Sequence, residues 1–342
     1  MVKDKVKNIL IIHVSGRVGD TLFITPLLET ISKHYSNSFV TVLTHRNTVS
    51  LLENCKYIDL LNTISKKRAR YRGWTFIKKY DLAFISSSPD EDADSLVSYA
   101  CRVSKKIVAF KPTSSRLRKC VDKLVDKDFN GKRHIIDYYH DLTNALNIVP
   151  SSKRVNFYAT SKELARAQKI LQESALKTCK LIIAIKITSL SSRSYRDWPE
   201  EHLVKLMNML IDKYKDVGFI AFGGLSEYGK YENIAQKIHA PFLNLSEKEL
   251  REFGSIMNYV NLYIGVDTGV THLMSSYDVP MVVLYHPLAP KSQYSPINHP
   301  NFYSLECPKN LILNMNKEDM MATIDPDQVF EKINFALTGD IK

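Results

Sequence analysis

The sequence predicts an α/β protein built from two doubly wound, Rossmann-like domains. Three observations carry this prediction. Short continuous apolar runs rich in β-branched residues alternate with stretches of helical period. The alternation pauses near residue 150 and restarts near residue 161, so one chain holds two such series. The chain has 342 residues, and typical domains of about 100–200 residues make two the natural count.

In the first series, apolar runs at 9–14, 39–43, 82–85 and 107–110 are the expected strands. Residues 26–35 place Leu27, Leu28 and Ile31 on one helical face. Residues 111–133 show no clear strand, and a helix over 135–146 closes at Asn147 and Pro150. In the second series, strands are expected at 181–187, 217–222, 262–266 and 281–285, and helices at 162–173, 200–214, 227–239, 247–259 and 270–277. Strands that are apolar throughout imply parallel sheets covered on both faces. The division falls at 1–160 and 161–342, and a final helix over 327–337 is free to pack on either domain, the N-terminal one included.

Composition narrows the class. With 44% hydrophobic and 24% charged residues, the chain is globular rather than disordered. No apolar run reaches the ~20 residues of a membrane span. Residues 8–14 are too short for a signal peptide and no small-residue cleavage site follows, so a cytoplasmic location is expected. The cysteines (Cys55, Cys101, Cys120, Cys179 and Cys307) are scattered without a Cys-x-x-Cys pair, which argues for free thiols and against a disulfide framework or a zinc site. The net charge of +11 is unevenly spread: residues 1–160 carry 27 Lys and Arg against 15 Asp and Glu, and residues 161–342 carry 20 against 21. The N-terminal half should therefore meet something anionic.

In open α/β sheets, ligands bind beyond the carboxyl ends of strands. Four polar clusters follow expected strands. Ser15-Gly16-Arg17-Val18-Gly19-Asp20-Thr21 offers a carboxylate, Asp20, at the mouth of a crevice or as a cap of the next helix. It is neither a Gly-x-Gly-x-x-Gly nor a Walker motif. Ser191-Ser192-Arg193-Ser194-Tyr195-Arg196 combines hydroxyls and guanidiniums suited to a diphosphate, or is a solvated basic loop. Gly223-Gly224-Leu225-Ser226-Glu227 sets a carboxylate either near ribose hydroxyls or merely in a first helical turn. Asp267-Thr268-Gly269-Val270-Thr271-His272 joins a buried strand to a helix, as an anion site or a capped turn.

Together these segments resemble glycosyltransferase family 9, the ADP-heptose:lipopolysaccharide heptosyltransferase family. The resemblance runs along nearly the whole chain, on Gly19-Asp20 through Thr25-Pro26, on Arg196-Asp197-Trp198-Pro199-Glu200, and on Asp267-Thr268-Gly269 with His272-Leu273 and Val279-Pro280. It implies a GT-B fold: two Rossmann-like domains facing across a cleft, acceptor on the N-terminal one, nucleotide sugar on the C-terminal one, with no metal and no cofactor. It implies that Asp20 is the general base of an inverting transfer. Ser191, Ser192, Arg196, Glu227, Asp267, Thr268, Gly269 and His272 would bind the donor, ADP-heptose. The acceptor, an anionic lipopolysaccharide core, would meet Gly19 and the basic residues Lys66, Lys67, Arg68, Arg70, Arg72, Arg116, Arg118 and Lys119. Peripheral contact with the cytoplasmic face of the inner membrane would follow.

The chain departs from the family pattern at the donor segments. Arg196 stands where Lys is usual, Ser191 and Ser192 replace threonines, and the preceding strand lacks a Pro-Gly. A different donor, such as a hexose or N-acetylhexosamine nucleotide, and a non-catalytic sugar-nucleotide or anion binder are the competing readings. Nucleic acid is not expected as a partner, because it would leave the strand-end clusters without a use.

Overall fold

The first apolar run forms a strand at the centre of a six-stranded sheet. In the computed structural model, which describes residues 6–71, 78–88, 91, 93–129, 132–308, 310 and 314–338, the chain forms two compact units, Met1–Tyr158 and Ala159–Lys342. The first holds strands β1 (Asn8–His13), β2 (Phe39–Thr44), β3 (Leu60–Thr63), β4 (Tyr80–Ser86), β5 (Ser104–Phe110) and β6 (Lys123–Val125) in the order β3-β2-β1-β4-β5-β6. The second holds β7 (Leu181–Lys186), β8 (Val217–Ala221), β9 (Phe242–Asn244), β10 (Leu262–Val266), β11 (Met281–Tyr285) and β12 (Phe302–Glu306) in the order β12-β11-β10-β7-β8-β9. Each sheet starts at an inner strand, grows outward on one side, then returns to grow on the other. All pairings are parallel. Both sheets thus have the strand order of the doubly wound dinucleotide-binding fold.

Burial explains which strands could be read from sequence. Ile9, Leu10, Ile11 and Ile12 of β1 are all fully buried, as strands covered on both faces must be. The four strands that escape the apolar pattern are β3, β6, β9 and β12, which are the four sheet edges. Edge strands are half-covered and here have exposed or intermediate positions almost throughout, so their composition is mixed. The segment 111–133, expected to lack strands, contains β6 for that reason. The cluster 15–21, read as following the first strand and preceding the first helix, already enters a helix, Val18–Phe23.

The core of the second unit forms around β7, β8 and β10 with Leu203, Leu206, Met207 and Leu210 of the helix Glu200–Lys213. Trp198 is fully buried in it and its indole N–H donates to the Ile324 carbonyl at 3.0 Å. The last helix, Pro326–Thr338, lies within this unit: Val329 and Ile333 join the same core, and Lys205 pairs with Asp327 at 2.7 Å. A reciprocal cap opens the unit's first helix, Ser161–Glu173. The Thr160 hydroxyl accepts from the Glu163 N–H at 3.2 Å, and the Glu163 carboxylate accepts from the Thr160 N–H at 2.8 Å.

On β10, Gly265 leaves the space through which the Tyr263 ring reaches along the strand, since a Cβ at Gly265 would overlap that ring. The buried Tyr263 hydroxyl then meets Thr271 Oγ1 at 2.7 Å, and Thr271 donates to the Val266 carbonyl at 2.5 Å. A glycine inside a strand is doing steric work for the turn that follows it. Gly265→Ala should lower the unfolding free energy by about 1–3 kcal/mol through overpacking, measurable by urea denaturation. Unchanged stability would show that the ring moves aside freely.

Candidate active site

A crevice opens in a doubly wound sheet where the strand order reverses. In the first unit the reversal lies between β1 and β4, and polar side chains gather at the carboxyl ends of these strands. Asp20 sits in the first turn of the helix Val18–Phe23, whose N-cap is Arg17. It makes no cap; its Oδ2 accepts from Ser15 Oγ at 3.0 Å and from Ser88 Oγ at 2.7 Å, with Arg17 Nη1 at 3.6 Å. The Asp20 side chain is 16% exposed, so it is reachable from solvent.

Behind it, His13 is buried, with Nδ1 3.1 Å from Ser86 Oγ and its ring edge-on to Tyr139. Burial outweighs the attraction of Asp20, and the nearby Lys66 adds to it, so the imidazole pKa falls to about 4. Burial, reinforced by the charge of Asp20, holds the Tyr139 phenol well above its usual range. Both groups are therefore neutral near pH 7.

The basic residues divide by their contacts. Lys66, half-buried in the short helix Lys66–Ala69, pairs with Glu91 at 2.9 Å, and Lys127 donates to the Glu91 carbonyl at 2.5 Å. Lys67, Arg68 and Arg70 are exposed. Arg118 is spent on its own loop, donating to the Pro112 and Thr113 carbonyls at 2.8 and 3.1 Å, and Asp94 holds that loop by accepting from the Thr113 and Ser114 amides. Arg116 and Lys119 are exposed, Gly19 is half-buried beside Asp20, and Arg72 lies outside the described residues.

In the second unit the reversal lies between β7 and β10. Lys186, at the end of β7, is buried and donates to Glu227 Oε1 at 2.5 Å and to Thr188 Oγ1 at 2.8 Å. Thr188 also donates to Glu227, whose Oε2 accepts from the Gly224 N–H at 2.7 Å. A Cβ on Gly223 would come within 2.9 Å of that Oε2, so the turn needs glycine to seat the carboxylate. Burial lowers the Lys186 pKa, while Glu227 opposes this. Burial raises that of Glu227, but Lys186 and its hydrogen-bond donors bring it below the ordinary value. The two remain an ion pair.

At the end of β10, Asp267 Oδ2 takes a hydrogen bond from Arg196 Nη1 at 2.9 Å, and its Oδ1 lies 3.4 Å from His272 Nε2. These three side chains are buried. Tyr195 packs beside the guanidinium with Lys317 over its ring at 5.3 Å. Thr268 is the N-cap of the helix Gly269–Met274 without a side-chain cap bond, its Oγ1 3.3 Å from Thr271 Oγ1. Ser191 and Ser192 are exposed in the 3-10 turn Ser191–Arg196. Among the described residues no three His, Cys, Asp or Glu side chains converge as a metal site.

The structure thus pairs two residues singled out separately, Arg196 and Asp267, across 71 positions. It also adds partners that the sequence reading passed over: Ser86, Ser88, Lys186 and Thr188. The run Ser86-Ser87-Ser88 directly after an apolar strand, and one lysine inside the apolar run 181–187, were the available signals.

The buried His13 makes stability pH-dependent. The unfolded chain protonates this group near 6.5 and the folded one near 4, so the unfolded state binds more protons in between. The stability contributed by this group is fully present above pH ~7 and should decline as pH falls towards 4, by on the order of 3 kcal/mol. In His13→Asn the decline of unfolding free energy between pH 7 and 4.5 should be shallower. An unchanged slope would contradict the assignment.

Comparison with known proteins agrees with this architecture. A solved structure of a glycosyl transferase family 9 protein from Veillonella parvula DSM 2008 superposes with a TM-score of 0.83 at 18% identity, over 98% of each chain. Escherichia coli ADP-heptose lps heptosyltransferase II gives 0.78 at 16% identity, over 97% of this chain and 99% of that one. In sequence, lipopolysaccharide heptosyltransferase 1 of Escherichia coli O18:K1:H7 (strain RS218 / NMEC) is 23% identical over 227 residues. That match spans 66% of this chain and 66% of the relative, just under two thirds of its length. The two sheets are those of the GT-B class, and the family model described as Glycosyltransferase family 9 (heptosyltransferase) matches residues 119–310, more than half of the sequence; the chain belongs to glycosyltransferase family 9.

Proposed function

We propose that the protein is an inverting glycosyltransferase that moves a heptosyl group from ADP-heptose to a hydroxyl of the lipopolysaccharide inner core. The observation that carries this reading is Asp20, a solvent-reachable carboxylate held by two hydroxyls at the strand reversal of the first unit. Relatives named as heptosyltransferases support the donor and acceptor class. The excess positive charge of residues 1–160 suits an anionic acceptor, with Lys67, Arg68, Arg70, Arg116 and Lys119 free of the loop-holding duty of Arg118. It also suits peripheral contact with an acidic membrane surface on the cytoplasmic side. Among the described residues no helix is long and apolar enough to cross a membrane.

In the proposed reaction Asp20 accepts the proton of the acceptor hydroxyl as its oxygen forms a bond to the anomeric carbon. The bond from that carbon to the diphosphate oxygen breaks on the opposite side, which inverts the centre. The diphosphate carries away the electron pair, and charge developing on it is stabilised by preorganised donors. Arg196, steadied by Asp267, with the Thr268 hydroxyl and the Gly269 amide, is the set assigned to that task. Ser191 and Ser192, exposed at the start of the same turn, add hydroxyls to the donor phosphates. Glu227 accepts from the nucleoside, and His272 belongs to the same donor-binding loop as Asp267, Thr268 and Gly269. No metal or cofactor is invoked.

The donor is tested by thermal shift and by nucleotide release. ADP should raise the melting temperature and ADP-heptose should raise it further; a response to UDP or GDP alone would replace the donor, and none to any nucleotide would remove the transferase reading. Asp20→Ala should lower turnover by about 10²–10⁴-fold with donor affinity nearly unchanged, read by ADP release and by titration. Retained turnover would show that Asp20 is not the base. Arg196→Ala should weaken donor binding and turnover together, and should also destabilise the fold by about 3–5 kcal/mol, because it strands the buried Asp267.

A further inference from the structure

The two oxygens of Asp20 are not equivalent. Ser15 Oγ at 3.0 Å, Ser88 Oγ at 2.7 Å and Arg17 Nη1 at 3.6 Å all approach Oδ2. Among the described residues, none donates to Oδ1. Ser15 and Ser88 are both about 1% exposed, so their hydroxyls have little water to turn to; Ser88 also interacts with the buried Tyr139 phenol, and the carboxylate is the charged acceptor that both serines share. Hydrogen bonds to a charged acceptor are the strong ones. The two donors come from different strands, Ser15 from just beyond β1 and Ser88 from just beyond β4, 68 residues from Asp20. They therefore cross the strand reversal and fix the carboxylate plane to the sheet.

We propose that Ser88 is a positioning residue for the transfer: with Ser15 it occupies one oxygen of Asp20, and so makes the other, Oδ1, the atom that removes the acceptor's proton. This rests on the reading of Asp20 as the base. The terminal torsion of an aspartate is broad and roughly two-fold, so a carboxylate without this clamp samples many orientations and turns towards Arg17. With the clamp on Oδ2, the other oxygen keeps its lone pairs uncommitted before the acceptor arrives. In the step itself, the proton passes from the acceptor hydroxyl to Oδ1, the hydroxyl oxygen bonds the anomeric carbon, and the diphosphate leaves with the electrons of the broken bond. Ser88 keeps its own proton throughout. Its sequence position, in Ser86-Ser87-Ser88, also divides the labour: Ser86 meets His13 and Ser88 meets Asp20.

The test compares Ser88→Ala, Ser88→Thr, Asp20→Asn and the double variant Ser88→Ala/Asp20→Asn in the full chain, using ADP release from ADP-heptose with a core acceptor. Ser88→Ala should lower kcat by about tenfold to a hundredfold, leave the KM for donor within about twofold, and keep its melting temperature. Ser88→Thr, which retains the hydroxyl, should recover most of the rate; if Ser88→Ala folds poorly, this variant and Ser88→Cys, a weak donor of similar size, carry the comparison. The double variant should be no slower than Asp20→Asn alone, because Ser88 acts only through that carboxylate. Full kcat in Ser88→Ala alongside an inactive Asp20→Asn would overturn the positioning role and leave the base reading standing. An equal loss from Ser88→Ala in both backgrounds would also overturn it. An active Asp20→Asn would sink the base reading and the inference with it.

Discussion

The constraint on which the structure depends is that a parallel sheet covered on both faces has no room for polar chemistry except at its strand ends. Along β1, β4, β7 and β10 the side chains are almost all buried and apolar. The helices that follow leave to one face on one side of the reversal and to the other face beyond it, so the ends at that point stay uncovered. Both units obey this rule at equivalent strands: Ser15, Asp20, Ser86 and Ser88 cluster beyond β1 and β4, and Lys186, Thr188, Asp267 and Thr268 beyond β7 and β10.

The carboxylates at these ends are held in two ways. Asp267 and Glu227 are neutralised by close cations, Arg196 at 2.9 Å and Lys186 at 2.5 Å. A buried pair of this kind is costly to break, and it holds a loop shape. Asp20 instead receives neutral hydroxyls, and among the described residues the cation beside it, Arg17, is half-exposed at 3.6 Å. Such a carboxylate has an oxygen to spare for a proton. The geometry thus distinguishes a carboxylate held by hydroxyls from two held by buried cations, although all three follow expected strands in similar glycine-containing segments.

This difference marks the limit of what the sequence alone made legible. The inner strands were readable because double-sided burial writes a continuous apolar run into the chain, as in 9–14 or 281–285. The edges β3, β6, β9 and β12 were not, because half-covered strands tolerate Lys, Asn and Ser. Asp20, Arg196 and Asp267 stood out by following strands. Their partners did not, since Ser88 reaches Asp20 across 68 residues and Asp267 reaches Arg196 across 71, and such pairings exist only once the sheet order is known. Gly265 carried no local signal at all: its reason is the ring of Tyr263.

The most direct test of the claim that nucleotide chemistry belongs to the reversal between β7 and β10 is hydrogen–deuterium exchange with and without ADP. Protection should concentrate in residues 186–197, 223–231 and 266–272, with the strand cores unchanged because they are already protected. Protection confined to other segments of either unit, with these three unaffected, would contradict the account.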